Sequence, residues 1–338
     1  MQGRLENQLK TEKKINEILT ELPKEVEEYY VNISTSKEFR TCLSYVQKLR
    51  RFLRWYCDKK ENKDLRKMDF SKVSDGDIAK YLKYVEIKQD ADGNVSFTTF
   101  SYRKQIYSIL NGFFEFLYKK RYVQSNPVSL LDRPTKMDKV EHIFLKEKDV
   151  NGILEAINNG AGNTHAIHRQ EQWKNRDLAI FYTFIFTGMR ESALCEIDIN
   201  KIDFENNRID VIDKEHKHNT YNITPKLKSI LSTWIDDRKE LLGNIDTDAF
   251  FISNQRKRIN QGTVRAIINK YSQEALGYKV SPHRLRAAFG NMIYEETGDI
   301  ELTSRAMKHA NISTTRIYME NDEKKVNKQI ADILGSKF

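Results

Sequence analysis

Residues 172–187 read as a helix that is apolar nearly all round, with Leu178, Ile180, Phe181, Phe184 and Ile185 spread over its surface. A helix of that kind must be enclosed by other elements. The second half of the chain therefore has to fold around this segment. Gly188 follows at once, and glycine suits the residue that ends or bends a helix. Within T-G-M-R-E-S-A-L, residues 187–194, Arg190 is left at a turn between two apolar segments. A charge so placed is either paired internally or presented to a ligand.

Helical spacing continues on both sides of this segment, over 146–158 before it and over 226–242 and 261–276 after it. Between 202 and 224 the period falls to two: I-D-F, R-I-D-V-I and T-Y-N-I-T alternate in strand fashion. A polar turn, D-K-E-H-K-H-N, separates the last two, so Lys214 and Lys217 sit at or beside a hairpin tip. His216 and His218 alternate there but lack a third ligand for zinc. The basic run N-Q-R-K-R, with Arg256, Lys257 and Arg258, suits a phosphate backbone.

The first 135 residues read as helical. A helix over 3–22 carries Leu5, Leu9, Ile15, Ile18 and Leu19, and a short piece at 25–30 follows Pro23. Residues 34–36 offer caps for a long helix running to about 59, with Leu43, Val46, Leu49, Phe52, Leu53 and Tyr56 inward. Lys48, Arg50, Arg51 and Arg54 interleave with them. A helix over 75–87, a polar turn at 89–94 and a strong helix over 97–122 complete this part. The last buries Tyr102, Ile106, Ile109, Leu110, Phe113 and Leu117, and it has Arg103 and Lys104 near its start. Its aromatic stripe, Tyr102, Phe113 and Phe116, reads as core. The polar segment P-T-K-M-D-K-V-E-H marks a linker. The expected layout is a basic helical domain over 1–135, a linker over 136–142, a second domain over 143–322 and a tail over 323–338.

Charge sharpens that division. Residues 1–140 hold 28 Lys+Arg against 20 Asp+Glu, a net of +8, and the remainder 29 against 28, a net of +1. An excess gathered in one half suits a polyanionic partner gripped there. Lys48, Arg51, Arg54, Arg103 and Lys104 are the candidate contacts there, with Lys217, Arg256, Lys257 and Arg258 in the second half. No apolar run approaches the ~20 residues of a membrane span. The first ten residues lack the apolar core of a secretory signal, and Cys42, Cys57 and Cys195 show no metal-ligand spacing. A cytoplasmic chain with reduced thiols is the expectation.

The chemistry gathers in 281–319. Ser281 can cap a helix and Pro282 suits its first turn. His283 and Arg286, three apart, then share a face beside backbone N–H groups that favour an anion. His309 follows, and Tyr318 comes nine residues after it. Two histidines, an arginine and a tyrosine are the wrong set for a metal site or a serine-type triad. They suit a phosphodiester: cations on its oxygens, a phenol as nucleophile and an imidazole to manage protons.

In order, Arg190, Lys214, His283, Arg286, His309 and Tyr318 resemble the signature of the tyrosine recombinases, the family of phage-type integrases and Xer resolvases. The matching pieces are T-G-M-R-E-S-A-L, V-I-D-K-E-H-K, P-H-R-L-R and K-H-A-N-I-S-T-T-R-I-Y. The first half is similar to the family's core-binding domain in L-R-R-F-L-R-W and Y-S-I-L-N-G-F-F-E-F-L-Y-K-K. The resemblance implies a mainly α fold with a small β-hairpin or sheet, built as a helical core-binding domain and a tyrosine-recombinase-type catalytic domain. It implies a site-specific DNA recombinase, serving either a mobile element or chromosome dimer resolution. Tyr318 would attack the scissile phosphate, leaving a 3′-phosphotyrosine and a free 5′-hydroxyl. Arg190, Arg286 and His309 would stabilise the growing charge, and His283 would help take up the tyrosine proton. Lys214, with Lys217 in reserve, would protonate the departing oxygen. Neither a metal nor ATP is implied.

The implied partners are double-stranded DNA with paired inverted sites and three further copies of the chain in a tetramer, at the nucleoid and away from any membrane. Two positions depart from the family pattern: Ala193 stands where an acidic residue is usual, and A-A-F-G follows Arg286 where a histidine or threonine is common. A type IB topoisomerase and a catalytically silent DNA-binding protein are the rival expectations. Beyond Tyr318, residues 323–334 read as a short helix with Val326, Ile330, Ile333 and Leu334 in one apolar stripe, either for a neighbouring protomer or for its own core.

Overall fold

The computed structural model describes residues 2–60, 64–89, 93, 95–134, 144–212, 218–308 and 315. The chain divides into two compact units, Met1–Lys139 and Val140–Phe338. The linker expected at 136–142 and the tail at 323–338 lie outside the described residues.

In the first unit, α1 (Gln2–Leu19), α2 (Lys24–Ser34), α3 (Phe39–Lys59), α4 (Asp75–Tyr84) and α5 (Phe100–Lys119) enclose an aromatic core. The apolar periodicity of α3 does what its spacing requires: Val46, Leu49, Phe52, Leu53 and Tyr56 are buried. Phe52 meets the Tyr81 ring of α4 edge-on at 5.0 Å and the Phe114 ring of α5 at 6.2 Å. Phe113 is fully buried and Phe116 nearly so, with Tyr102 packed at the margin, as expected of core. Of the apolar residues carried by α1, Ile15 and Ile18 are buried while Leu9 is exposed.

Two boundaries differ from the expected ones. The hydroxyls of Ser34 and Thr35 donate to the carbonyls of Val31 and Asn32, each at 2.8 Å. They turn back to close α2 instead of opening α3, which starts after Glu38 with no side-chain cap. Residues 87–89 and 95–97 do not continue their flanking helices. They form an antiparallel hairpin of β1 (Ile87–Gln89) and β2 (Val95–Phe97), in which Ile87 pairs with Phe97. Gly93, at φ 85°, takes a left-handed shape that only glycine enters without cost. Thr98 pins the hairpin base by a 2.7 Å hydroxyl bond to the Val85 carbonyl. Thr99 then caps α5 by accepting from the Tyr102 amide, so helical spacing starts later than the sequence implied.

The second unit contains α6 (Glu147–Asn159), α7 (Thr164–Glu171), α8 (Lys174–Thr187), α9 (Glu191–Cys195), α10 (Pro225–Leu242), α11 (Gln261–Leu276), α12 (Pro282–Thr297) and α13 (Ile300–Ala306). Helix α8 is the enclosed one, packed against α6, α10, α11 and α12. Ala179, Ile180, Phe181 and Phe184 are fully buried along it. It begins slightly later than expected, after Trp173, and is preceded by a separate helix, α7, which Asn163 caps by accepting from the Ala166 amide at 2.9 Å. The period-two stretch becomes an antiparallel sheet in the order β3 (Ile202–Asp203), β4 (Arg208–Ile212), β5 (His218–Asn222). Ile209 pairs with Tyr221, and both turn inward with Val211. His218 belongs to β5, paired with Ile212, and not to the connecting turn.

Near the start of α8 the core takes in an ion pair that the sequence did not announce. Arg176 and Asp177 are 3% and 1% exposed. Asp177 accepts from Arg176 at 2.7 and 2.9 Å and from the Tyr271 hydroxyl of α11 at 2.8 Å. Arg176 also reaches the Ile252 carbonyl at 3.1 Å and Asn254 at 2.8 Å. Burial and then the Asp177 charge push the Tyr271 phenol far above its ordinary range, so it stays a donor. Among the described residues no helix is long and apolar enough to cross a membrane.

Asp177→Ala would leave the Arg176 guanidinium buried without its counter-ion. Removing one partner of such a pair costs about 3–5 kcal/mol. Urea denaturation followed by tryptophan fluorescence should show a loss of that order, and a loss near zero would mean the pair is dispensable to the second unit.

Candidate active site

The site begins at the end of α8. Thr183 and Thr187 each donate a hydroxyl to the carbonyl four residues back, at 2.6 and 2.5 Å. The Met189 amide donates to the Thr187 hydroxyl at 3.2 Å. Gly188 closes the helix in the left-handed conformation, φ 57°, as its place in the sequence suggested. A Cβ there would lie 2.1 Å from the Phe289 ring, so no larger residue fits. Arg190 then takes an extended shape as N-cap of α9.

Helix α12 meets this turn. Ser281 caps it, its hydroxyl accepting from the Arg284 amide at 3.4 Å, with Pro282 at the first helical position. His283 lies at the open end and is exposed, while Arg286, one turn further, is 4% exposed. The Arg286 guanidinium donates through Nη1 to the Gly188 carbonyl and through Nη2 to the Met307 carbonyl. Arg190 donates through Nη2 to the Lys308 carbonyl at 3.4 Å. Met307 and Lys308 terminate α13, so both guanidiniums sit at the negative end of a helix. His309 is the next residue.

Two cations are thereby held beside one imidazole. Partial burial, then Arg286, then Arg190 lower the His283 pKa below its ordinary 6.5. The shift favours the neutral ring, the form able to accept a proton. Carbonyls take hydrogens from the arginines without cancelling their charge, so the cluster favours an anion.

Of the six expected site residues, Arg190, His283 and Arg286 come together here. Lys214, His309 and Tyr318 lie outside the described residues, as does Lys217, the reserve for Lys214. Thr315, three positions before Tyr318, is fully buried. Tyr294, the other tyrosine of this region, is buried beside Met307. Ala193 is buried, and the acid nearest to it, Glu191, accepts from Arg265 of α11 at 2.7 and 3.1 Å. That pair fixes α9 from outside, a link the sequence reading missed. Among the described residues no group of three His, Cys, Asp or Glu side chains is placed to hold a metal.

The basic candidates separate by partner. Arg54 pairs with Glu21 at 2.7 Å and Arg103 with Glu86 at 3.3 Å. Arg258 is drawn inward, pairing with Asp198 and reaching the Cys195 and Ile197 carbonyls. Lys48 lies against the Ser44 hydroxyl and the Tyr102 ring, and Lys104 lies over Phe100 at 6.0 Å. Arg51 donates to the Tyr102 hydroxyl at 2.8 Å and stands over the Tyr84 ring. With Arg50, Arg54, Trp55 and Lys59 it lines a shallow groove along α3. Arg256 and Lys257 are exposed, Arg256 in a left-handed turn at φ 57°.

Residues 143–325 match the sequence model of the phage integrase family. The chain belongs to that family. Tyrosine recombinase XerC of Shewanella sp. (strain ANA-3) is 26% identical over 209 residues, which cover 62% of this chain. The match spans 65% of the length of that relative. XerC of Pseudomonas syringae pv. syringae (strain B728a) is 26% identical over 256 residues, 76% of this chain and 80% of that protein. Among solved structures, XerH site-specific recombinase bound to a palindromic difH substrate, in its post-cleavage complex, aligns with a TM-score of 0.67 at 18% identity. That alignment covers 90% of this chain and 83% of XerH, and the shared fold is mainly α with a small sheet, as the sequence implied.

The lowered His283 pKa has a sign that can be checked. Below pH 6.5 the unfolded chain binds a proton at His283 that the folded site resists, so this group works against folding as the pH falls. NMR titration, with His283→Gln to assign the signal, should give a midpoint below 6.5, rising in Arg190→Met. A midpoint at 6.5 or above, unmoved by Arg190→Met, would mean the guanidiniums do not act on the ring.

Proposed function

We propose that the chain is a site-specific DNA recombinase that cuts and rejoins strands through a 3′-phosphotyrosine at Tyr318. The observation that carries this reading is the convergence of Arg190 and Arg286 on the two carbonyls that lead into His309, with His283 near enough to feel both charges. The family match over 143–325 and the names of the curated relatives support it.

In the proposed reaction the scissile phosphate lies against Arg190 and Arg286, with His309 as a third donor. The Tyr318 oxygen forms a bond to phosphorus as the bond to the 5′-oxygen breaks. His283 takes the phenol proton, and Lys214 or Lys217 gives a proton to the departing oxygen. Fixed cations that meet charge as it develops supply the main acceleration. Rejoining reverses the steps with a new 5′-hydroxyl. The phosphodiester energy is kept in the tyrosyl ester, so no nucleotide is consumed.

DNA phosphates would be held by Lys48, Arg51, Lys104, Arg256 and Lys257. Arg54, Arg103 and Arg258 have carboxylate partners and drop out of that set. Paired inverted sites, a tetramer on synapsed DNA at the nucleoid, and docking of residues 323–334 on a neighbouring protomer complete the proposal. Four apolar side chains buried there, at ~1.5–3 kcal/mol each, would suffice to hold such a contact.

The test is a suicide duplex nicked beside the cut site, run on a denaturing gel. The parent should form a covalent protein–DNA adduct that EDTA leaves unchanged, and Tyr318→Phe should bind the duplex but form none. An adduct persisting in Tyr318→Phe would place the nucleophile elsewhere. Absence of any adduct with the parent on its own site would overturn the recombinase reading.

A further inference from the structure

Lys308, the residue before His309, has a left-handed backbone with φ 51°. A side chain costs conformational energy there that glycine avoids. Three contacts hold it. Its amide donates to the Arg305 carbonyl at 3.0 Å, and its own carbonyl accepts from Arg190 at 3.4 Å. Its ammonium stands 5.1 Å from the centroid of the Tyr221 ring. Tyr221 is 4% exposed on β5, where it pairs with Ile209 of β4. The connection between those two strands is the run 213–217, which carries Lys214 and Lys217.

The first two contacts are main-chain and would survive in any residue. The third belongs to lysine and reaches a different part of the unit. From this we infer that Lys308 is a positioning residue: its ammonium on the Tyr221 ring ties the β4–β5 ladder to the segment entering His309. A cation against the face of a buried ring is held firmly enough for this. The tie sets the hairpin lysine in register with the two guanidiniums, so that a proton reaches the departing 5′-oxygen as the phosphate is attacked. This rests on the strand-transfer reading above. A plainer role, a cation complementing the end of α13, would affect stability alone and would not involve Tyr221.

The full chain, assayed on the nicked duplex, separates these. Lys308→Met keeps the backbone cost and removes the charge. Its adduct should form about five-fold more slowly on an ordinary phosphate, the scale expected of one cation–ring contact. On a duplex with a 5′-phosphorothiolate at the cut, whose sulfur leaves without a proton, the loss should shrink to under about two-fold. Lys308→Arg and Tyr221→Phe should keep the parent rate, while Tyr221→Leu should behave as Lys308→Met, with no further loss in the double variant. Lys308→Gly relieves the left-handed backbone, so it should melt no lower than the parent and yet cut as slowly as Lys308→Met. Equal losses on both duplexes, or a full rate in Lys308→Met while the parent forms its adduct, would overturn the inference. A parent that forms no adduct would instead defeat the strand-transfer reading beneath it.

Discussion

The second unit depends on what one guanidinium does with its hydrogens. Arg286 bridges the carbonyls of Gly188 and Met307, which stand 98 and 21 residues away in the chain. A planar fork suits two acceptors at once, which an ammonium could not match. Had the acceptors been carboxylates, the pair would have been neutral and structurally final. Carbonyls at a helix end satisfy the hydrogens and keep the charge. The same side chain thereby joins three segments.

The rest of the unit is arranged to present those carbonyls. Helix α8 is buried on most sides, so its end cannot drift, and its last turn is tightened by the Thr183 and Thr187 hydroxyls. Gly188 must then be glycine twice over, for its left-handed backbone and for the Phe289 ring that occupies the space of a Cβ. On the other side α13 is short and capped by Met307, and the carbonyls of Met307 and Lys308 just past its end accept from Arg286 and Arg190. Two like charges are brought close by this, and after desolvation of the ring itself they lower the His283 pKa further.

Much of this was legible in the sequence because it rests on local rules. The all-round apolar helix, Gly188 at its end, Ser281-Pro282 at the start of α12 and the period change at 202 all follow from spacing and caps. What was missed depends on partners far along the chain. Arg176 and Asp177 drew no notice beside the apolar positions of that helix, and only Tyr271 and Asn254, from other elements, explain their burial. The acceptors of Arg286 are main-chain carbonyls, which leave no trace in residue type. The polar turn at 89–94 was legible, but the strands beside it, Ile87–Gln89 and Val95–Phe97, lay hidden between two strong helical patterns.

Hydrogen–deuterium exchange on Arg286→Lys tests this dependence most directly. Lysine keeps the charge and loses the fork, so the Gly188 turn and the end of α13 should come apart together. The account predicts faster exchange at the amides of Gly188 and Met189 and at those of Met307 and Lys308, with the first unit unchanged. Parent-like protection at both segments would contradict it, because the two carbonyls would then be held in place by something other than Arg286.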